Sequence, residues 1–416
     1  MNIWIINHYA GSVEYGMEFR HYYFAKELIG MGHNITIIAG SYSHLRKYNP
    51  DVRETYKEEI HEGIKYIWVP TCYYTGNGID RVKSMIEFYF RAKNAAKSIR
   101  KPDVILSSSP HPMACLAGIK IARKHNVKNI SEVRDLWPEA FVYYKGLSQK
   151  SVVVKLMEYL EHKIYKKSDA LIFTKPGDID YLREKRWLKS TKGDVDDRKC
   201  YYVNNGVDLA AYHKQIIEYE YPQLPERTDE FIITYVGTIR EVNNIDMLLD
   251  AAKILKDKKI TFRIFGDGEQ LERLKTRQKE EAINNVHFFG RVEKQFIPNI
   301  LSKSTINILN YSPTLYNWTR GNSSNKLFEY MACGKPIIST VKMGYSPIEQ
   351  YQCGVEIENC TGVKLASAIE KLSDLSLMEL SGMGENARNA VNAFDYPILT
   401  RKLEKILFDT MRGVEK

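Results

Sequence analysis

One stretch of the sequence, Gly321 to Val341, combines residues that could bind a phosphorylated ligand. It opens with the small polar loop GNSS over 321–324, and the apolar spacing that follows, Leu327 included, predicts a helix over 325–333. The first amides of a helix lack partners within the helix and lie at the positive end of its dipole, so this loop suits a phosphate. Lys326, in the first turn of the predicted helix, adds a cation.

A carboxylate follows this cation one helical turn later, at Glu329. Such a carboxylate can accept hydrogen bonds from two hydroxyls of a ribose. The other interpretation is a capped helix with a solvated glutamate, and the loop alone does not choose between the two. Gly334 and Pro336 are typical of a helix end, and PIIS over 336–339 predicts a short buried strand.

Length and composition bound the class of protein. With 416 residues, of which 44% are hydrophobic, the chain is long enough for two or three domains. No segment approaches about 18 consecutive apolar residues, and the N-terminal residues resemble no secretory signal, so we expect neither a membrane span nor export. The six cysteines form no C-x-x-C pair, which favours free thiols in a reducing cytoplasm. A net charge of +9 favours an anionic partner without choosing among nucleic acid, anionic lipid and a phosphorylated substrate.

The first half of the chain alternates predicted strands and helices. A strand at 2–7 ends in a turn, Gly16 lies in the next loop, and a helix is predicted from about 18 to 31. Ligands of open parallel sheets bind at the carboxyl ends of the strands, so Arg20 is expected to point toward an anion there, with an ordinary surface arginine as the alternative. Without hairpin turns, the pattern predicts a parallel sheet covered on both faces. The other strands are predicted at 34–39, 65–69, 103–107, 129–133, 170–174 and 201–203.

A loss of periodicity over 214–230, with two prolines and mixed charge, predicts a linker between two domains. We therefore expect an N-terminal domain over 1–213 and a C-terminal domain over 231–395. The last segment, 396–416, is predicted to contain a helix that could cross back to the first domain. Two open-sheet domains in one chain commonly hold their ligand in the cleft between them.

The second domain repeats the alternation of strands and helices. The loop GTIR over 237–240 follows its first strand, and the loop GDG over 266–268 follows its second. Both loops are expected at the edge of the sheet where ligands bind. The strands are predicted at 231–236, 260–265, 286–289, 306–309 and 336–340.

Taken together, these segments resemble family 4 of the retaining, nucleotide-sugar-dependent glycosyltransferases, and in particular the branch that builds bacterial capsules and O-antigens. The resemblance covers nearly the whole chain, and it rests on the joint order and spacing of the motifs. It implies a GT-B fold, an α/β architecture of two facing Rossmann-like domains with parallel sheets and an interdomain cleft. The motifs are HYAG, GMEFR, MGHNITIIAG, RDLWPE, NNGVD, YVGTIREVNNIDMLLDAA, FGDGE, NNVHFFGRV and NKLFEYMACGKPIIST.

The resemblance also implies a donor site. Glu329 matches the second glutamate of the family's E-x7-E motif and would bind the donor ribose, whereas the first glutamate falls at Gly321. The family's usual arginine and lysine after the first strand of the second domain are Thr238 and Asn243 here, which leaves Arg240 as the substitute cation. The predicted donor-binding residues are Gly16, Arg20, Gly237, Thr238, Arg240, Gly266, Asp267, Asn322, Ser323, Ser324, Lys326, Leu327 and Glu329.

The chemistry expected from this set needs no cofactor. Cleavage of a sugar–diphosphate bond requires stabilisation of negative charge on the departing diphosphate, which a helix N-terminus with Arg240 or Lys326 could supply without metal. A histidine that often follows the fifth strand of the first domain is replaced here around Asp135, which becomes the predicted contact to the donor sugar or acceptor. Asp135, Arg240 and Lys326 are therefore the predicted catalytic residues. The D-x-D sequence within 194–197 is a metal motif of another transferase architecture, and we assign no metal ligand to it.

A basic segment could contact a membrane. Arg81–Lys101 carries seven basic residues and one acidic residue around several aromatic ones, which is typical of a helix lying on an anionic leaflet. Tyr181–Lys192 could supplement it. The alternative is that the apolar side packs on the sheet and the charges are solvated. No nucleic-acid recognition signature accompanies the basic residues. The lone histidines His8, His21 and His111, near strand ends, are expected to be packing or loop residues rather than catalysts.

The sequence thus predicts a cytoplasmic glycosyltransferase, peripheral on the inner face of the membrane. It would move a sugar, for instance an N-acetylated hexosamine or deoxyhexosamine, from a UDP-linked donor to an undecaprenyl-diphosphate-linked saccharide. Two alternatives stay open: a UDP-sugar epimerase of the same architecture, and a non-catalytic nucleotide-sugar-binding subunit, which the missing glutamate at Gly321 favours slightly.

Overall fold

The computed structural model describes residues 1–16, 19–109, 111–224 and 229–413, and the chain divides into two compact units. The first unit comprises Met1–Asn204 with Tyr396–Lys416, and the second comprises Asn205–Asp395. Each unit is built on a sheet of mostly parallel strands with helices on its faces. The predicted α/β class is therefore confirmed.

The first sheet has its most apolar strands at its centre. Residues 3–6 and 104–106 are completely buried, as expected for parallel strands covered on both faces. The order of the strands in the sheet is β3-β4-β2-β1-β5-β6-β7-β8. The strands are β1 (Asn2–Ile6), β2 (Asn34–Gly40), β3 (Lys57–His61), β4 (Ile64–Val69), β5 (Val104–Ser109), β6 (Lys128–Val133), β7 (Ala170–Phe173) and β8 (Cys200–Tyr202). The helices are α1 (Arg20–Gly30), α2 (Ile79–Ala95), α3 (Pro112–His125), α4 (Trp137–Lys145), α5 (Val152–Lys167) and α6 (Asp178–Glu184).

One strand of this sheet contradicts the prediction of a purely parallel sheet. β3 pairs antiparallel with β4 at the edge. The two-residue connection Glu62-Gly63 has positive φ at both positions, 48° and 80°, which matches the right-handed twist of a tight hairpin. The sequence KEEIH of β3 is polar and short, as edge strands often are, so it gave no strand signal.

The second unit contains a smaller sheet with the order β11-β10-β9-β12-β13-β14. The named pairs in this sheet are parallel. The strands are β9 (Phe231–Val236), β10 (Ile260–Phe265), β11 (Val286–Gly290), β12 (Ile306–Leu309), β13 (Ile337–Ser339) and β14 (Gly354–Glu356). The helices are α7 (Leu209–Glu218), α8 (Ile245–Ile254), α9 (Leu271–Glu280), α10 (Ile297–Ser302), α11 (Asn325–Cys333), α12 (Pro347–Gln350), α13 (Gly362–Ser373) and α14 (Leu377–Val391).

The ends of the units differ from the predicted domain limits. The division falls between Asn204 and Asn205, earlier than residue 213, and α7 occupies the first part of the predicted linker 214–230. Residues 225–228 of that linker lie outside the described residues, as do 414–416 of the terminal segment and Glu18, where the first helix was expected to begin. The last helix, α15 (Tyr396–Arg412), packs in the first unit, and the Tyr396 ring stacks on Tyr23 with the ring centroids 4.5 Å apart.

Across the described ranges, no helix has the length and apolar character needed to cross a membrane.

A buried carboxyl group holds α5 against α6. Glu161 accepts hydrogen bonds from the hydroxyls of Tyr165, at 2.8 Å, and Tyr181, at 2.7 Å. Burial raises the pKa of Glu161 from 4.5 to about 8, although both hydrogen bonds oppose this shift. Glu161 is therefore protonated in the folded protein at neutral pH.

We expect Glu161→Gln to remove a pH dependence of stability. The folded pKa lies above the unfolded one, so the stabilisation is complete below about pH 4.5 and is lost as the pH rises through about 8, at a slope of at most about 1.4 kcal/mol per pH unit. Urea unfolding of both proteins between pH 5 and 8.5 measures this. Parallel free energies of unfolding for the wild type and the variant would contradict the prediction.

Candidate functional site

The candidate site lies at the carboxyl edge of the second sheet, where the strand order reverses. From β9 the chain continues through β10 and β11 on one side, and it then crosses to β12, β13 and β14 on the other. The loops after β9 and β12 are therefore neighbours at a switch point, which is where open α/β sheets bind ligands. The sequence-predicted residues of the second domain follow β9, β10 and β12 or begin α11.

Close packing of two glycine loops shapes this edge. Gly237 donates its N–H to the carbonyl of Phe265 at 2.9 Å, and Ile239 donates to that of Asp267 at 2.9 Å. Gly266 has φ +143°, and a Cβ there would lie 1.7 Å from the carbonyl oxygen of Gly237. A Cβ on Gly237 would lie 2.8 Å from Lys326 Nζ. The glycines thus let the two loops touch and leave room for the lysine.

The ammonium group of Lys326 is half-buried between two aromatic rings. Its Nζ lies 5.0 Å from the ring centroid of Tyr235 and 4.8 Å from that of Tyr311. It donates to Tyr235 Oη at 3.3 Å, and the amide orientation of Asn243 that satisfies both its polar atoms accepts from Nζ at 3.1 Å. Burial lowers the pKa of Lys326 to about 7, and Glu329 only partly offsets this. Within the described chain Lys326 has no ion-pair partner, so a ligand anion would find an uncompensated cation.

The first turn of α11 lies beside this lysine. The Ser324 side chain does not cap the helix, and its buried Oγ has no hydrogen-bond partner among the residues described. Uncapped first-turn amides and a free hydroxyl suit a phosphate oxygen. The cradle differs from the predicted one, because the Ser324 N–H donates to Asn322 Oδ1 at 2.7 Å and is already satisfied. The carbonyl of Ser323 accepts from Asn205 Nδ2 at 2.5 Å, which fixes the loop.

Glu329 follows Lys326 by one turn of α11. Its side chain is mostly buried, and its Oε1 lies 3.8 Å from Lys294 Nζ. Burial raises the pKa of Glu329, while Lys294 and Lys326 oppose the shift. Leu327, predicted with the donor-binding set, instead packs its side chain completely into the core of the unit.

Gly321 occupies a backbone conformation that only glycine adopts readily. Its φ is +95° and its ψ is −166°, and its N–H donates to the carbonyl of Trp318 at 3.1 Å. The position that resembles the family's first motif glutamate is therefore held by a backbone geometry unsuited to a side chain.

Three further predicted residues, Thr238, Arg240 and Asp267, are exposed at this edge. The Thr238 carbonyl accepts from Tyr235 Oη at 2.7 Å, and Asp267 Oδ1 accepts from the Gly268 N–H at 2.7 Å. The roles assigned to these residues stay predictions.

Sequence reasoning did not predict that other residues position Lys326, although it named Asn243 in place of the family's usual lysine. Asn243 is buried and, in the same amide orientation, donates to Thr238 Oγ1 at 2.9 Å and to the Thr238 carbonyl at 2.8 Å. Asn310, after β12, donates from Nδ2 to the carbonyls of Asn243 at 2.6 Å and Asn244 at 2.8 Å. Two asparagines and two tyrosines at strand ends give no signal without the topology that brings the loops together.

In the first unit, Arg20 is not the surface arginine of the alternative interpretation, because it is buried in an ion-pair network. Its guanidinium forms an ion pair with Glu132 at 2.8 Å and donates to the carbonyls of Val203 and Asn204 at 2.9 and 2.6 Å. Arg20 and His21 hold the pKa of the buried Glu132 well below its usual range. The arginine therefore neutralises a buried carboxylate that the sequence did not reveal, and its predicted contact to the donor stays a prediction.

The histidines at this edge are buried. His21 lies 2.9 Å from Glu132 Oε2, and His8 Nδ1 lies 2.7 Å from His111 Nε2. The His8 ring stacks on Phe88 with the centroids 4.5 Å apart. Burial lowers the pKa of His111 to about 3 and that of His8 well below its usual value, so both are neutral.

Two other predicted residues of the first unit have simpler surroundings. Asp135 is 57% exposed after β6, with its carboxylate 3.9 Å from Lys175 Nζ. Gly16 has φ +77° and donates its N–H to the Ser12 carbonyl at 2.7 Å, in the loop after β1.

The carboxylates of the D-x-D run contact basic side chains of the chain itself. Asp194 binds His162 at 2.7 Å and Lys166 at 2.8 Å, and Asp196 binds Lys189 and Arg198. These ion pairs account for both carboxylates of the motif.

Both halves of the chain match models of glycosyltransferase families. The model described as Glycosyltransferase Family 4 matches residues 15–211, and the model described as Glycosyl transferases group 1 matches residues 217–390. The probable glycosyltransferase WbjE of Pseudomonas aeruginosa is 22% identical over 71% of this chain and 72% of its own length. The putative teichuronic acid biosynthesis glycosyltransferase TuaH of Bacillus subtilis is 23% identical over 60% of this chain and 59% of its own.

A solved structure shares the fold. The crystal structure of Anabaena HepE in complex with UDP and glucose superposes with a TM-score of 0.66 at 14% identity, covering 98% of this chain and 99% of that one. The two parallel-sheet α/β domains of the present chain are those of the GT-B architecture. On both halves of its sequence and on its fold, the chain belongs to glycosyltransferase family 4.

Proposed function

We propose that this glycosyltransferase transfers a sugar, with retention, from a UDP-linked donor to a lipid-linked saccharide during synthesis of a surface polysaccharide. One observation carries the proposal. The half-buried ammonium of Lys326 has no ion-pair partner in the described chain, and it lies beside the uncapped start of α11 with Glu329 one turn beyond.

The arrangement suits a diphosphate for electrostatic reasons. A cation that burial has partly deprotonated gains most when a ligand supplies negative charge at short range. The first amides of α11 and the hydroxyl of Ser324 supply hydrogen-bond donors at the same end of the helix. The expected ligand thus carries phosphate groups at Lys326.

The nucleoside half of the donor is assigned to Glu329. A mostly buried carboxylate can accept from both hydroxyls of a ribose, and hydrogen bonds to a charged acceptor are stronger than neutral ones. That the fold neighbour HepE was crystallised with UDP and glucose supports a uridine nucleotide.

The proposed reaction is a front-face displacement. The acceptor hydroxyl oxygen bonds to the anomeric carbon while the bond from that carbon to the diphosphate oxygen breaks, and the departing diphosphate receives the electron pair and accepts the acceptor proton. Lys326 and the start of α11 stabilise the charge that develops on the leaving group. Arg240 and Asp135 remain the further proposed contacts, and neither a metal nor another cofactor is expected.

The proposed lipid-linked acceptor is supported by the similarity to known proteins and by the charge of one segment. The name of TuaH refers to teichuronic acid biosynthesis, which favours a polysaccharide product. An undecaprenyl-diphosphate-linked saccharide would place the reaction at the inner face of the membrane, with the protein in the cytoplasm. The basic segment Arg81–Lys101, which the structure shows as α2 followed by 96–101, would provide a peripheral contact with anionic lipid.

A second candidate, a nucleotide-sugar-binding subunit without turnover, is favoured by Gly321, which supplies no carboxylate where the family motif has one. Both candidates predict donor binding, and they differ in catalysis.

A donor panel tests the proposal. We expect selective binding of one UDP-sugar over GDP- and TDP-sugars, with slow release of UDP that EDTA does not change. Isothermal titration and a UDP-release assay measure the two steps. Binding without release would support the binding subunit, and failure to bind any of these donors would overturn the proposed function.

Glu329→Ala should weaken UDP binding by about tenfold or more, because a hydrogen bond to a charged group contributes about 1.5–3 kcal/mol. Glu349→Ala, at an exposed position of α12 in the same unit, is the matched control and should leave the affinity unchanged. Equal UDP affinity in wild type and Glu329→Ala, with both proteins folded, would remove Glu329 from the ribose site.

Lys326 should take up a proton when the donor binds. Its pKa of about 7 rises when a diphosphate neutralises it, so at pH 8 binding should absorb up to about 0.9 proton, and affinity should fall as the pH rises above 7. Titration calorimetry in buffers with different ionisation enthalpies measures the uptake. Lys326→Gln should bind more weakly and absorb no proton through this group, whereas equal proton uptake in both proteins would contradict the assignment.

A further inference from the structure

Helix α2 presents an exposed apolar ridge. Ile79, Val82, Ile86 and Phe90 follow one another along one side of the helix, and Ile86 and Phe90 are 44% and 60% exposed. The opposite side is buried against the sheet and α3. The alternative that the apolar side of this segment simply packs on the sheet therefore describes only half of the helix.

A second ridge, which the sequence analysis did not identify, lies on α5. Val152, Leu156 and Tyr159 are 84%, 58% and 60% exposed. The opposite side of α5, with Val154 and Ile164, is buried. α3 packs against α2 in one core cluster and against α5 in another, so the three helices form one layer on the same face of the first sheet.

Basic side chains lie on α2 and α3 beside the first ridge. A groove of about 310 Å³ between α2 and α3 is lined by Phe90 together with Lys93, Lys97, Lys120 and Lys124. The exposed residues of α3 are the basic ones toward its C-terminal end, Lys120, Arg123 and Lys124.

The same charge continues onto α5. Arg123 of α3 and Lys167 of α5 line one surface pocket, and desolvation together with the charges of Lys163, Arg123 and Lys120 lowers the pKa of Lys167. Such mutual repulsion is relieved when an anionic partner binds.

The acidic residues of α5 and the central one of α2 are turned away or neutralised. Glu158 binds Lys155 at 2.8 Å and Lys185 at 2.5 Å, and Glu161 is buried and protonated. Glu87 accepts from the Cys72 N–H at 2.7 Å. Apart from the exposed Asp80 in the first turn of α2, the exposed side of α2 and α5 is therefore both apolar and cationic.

We propose that α2, the last turn of α3 and α5 form one docking surface for an anionic phospholipid bilayer. The two ridges enter the interfacial region, and the lysines between them contact headgroup phosphates. The membrane contact of α2 rests on the proposed function. The helix α5 is a second element of the same surface, and membrane binding is incomplete without it.

Other occupants fit the surface less well. A nucleic acid would use the cations but would gain nothing from exposed valine, leucine and isoleucine side chains. A symmetric second copy would set the same patch against itself and bring cations face to face. An anionic bilayer would bury the exposed apolar side chains and would also neutralise the cations.

Vesicle co-sedimentation with the full chain tests the proposal, using phosphatidylglycerol-containing vesicles and pure phosphatidylcholine vesicles. We expect the wild type to bind the anionic vesicles, and Leu156→Ser with Tyr159→Ser to weaken that binding by about fivefold or more. Replacing Lys93 and Lys97 by Gln should weaken it as well. The matched control is Leu377→Ser with Met378→Ser, an even more exposed apolar pair at the start of α14, which should bind like the wild type.

Other outcomes would overturn the inference. Unchanged vesicle binding in the α5 variant, with loss only in the lysine variant, would restrict the contact to α2. A change in oligomeric state measured by light scattering, without a change in vesicle binding, would assign the ridge to a protein interface. UDP affinity and thermal unfolding, measured on the same variants, show whether the donor site and the fold are intact, so failure of this inference is distinguishable from failure of the proposed transferase.

Discussion

The carboxyl edge of the second sheet depends on how one ammonium group is held without an ion-pair partner among the described residues. Lys326 lies between the rings of Tyr235 and Tyr311 and is hydrogen-bonded by Asn243. Aromatic faces and an amide oxygen attract a cation only weakly compared with a paired carboxylate, so much of the desolvation cost stays uncompensated. Two neighbours help to place the lysine. Gly237 leaves space for it, and Asn310 fixes the loop that carries Asn243.

The carboxyl edge of the first sheet follows the opposite principle. There the charge of Glu132 is neutralised by Arg20, and His21 and the hydroxyl of Ser108 complete its hydrogen bonds. Such a satisfied buried network rigidifies its surroundings. The charges near the ends of the strands are thus balanced within the chain at Glu132 in the first sheet, whereas Lys326 in the second has no ion-pair partner among the described residues.

Sequence patterns predicted elements whose signals are local. The helix over 325–333 has the predicted bounds, because its apolar spacing is local and Gly334 in the left-handed region marks its end. The hairpin strand β3 was missed because a polar edge strand has no apolar alternation.

The candidate site was predictable only in part, because charge partners are set by topology. Lys326 and Glu329 share one helix and could be read together from their spacing. Arg20 could not be interpreted without Glu132, which is 112 residues away and in a strand that reads as ordinary core. Asn243, Tyr235 and Tyr311 likewise meet Lys326 only because the loops after β9 and β12 are adjacent.

The backbone at Gly321 constrains how this protein could exchange motifs with its relatives. A glutamate placed there alone would inherit a φ of +95°, which costs a non-glycine residue of the order of 1–3 kcal/mol, before its carboxylate could contribute anything. A glutamate introduced at Gly321 is therefore expected to need a change in the backbone of the loop as well, so the side chain and the loop conformation at this position are coupled.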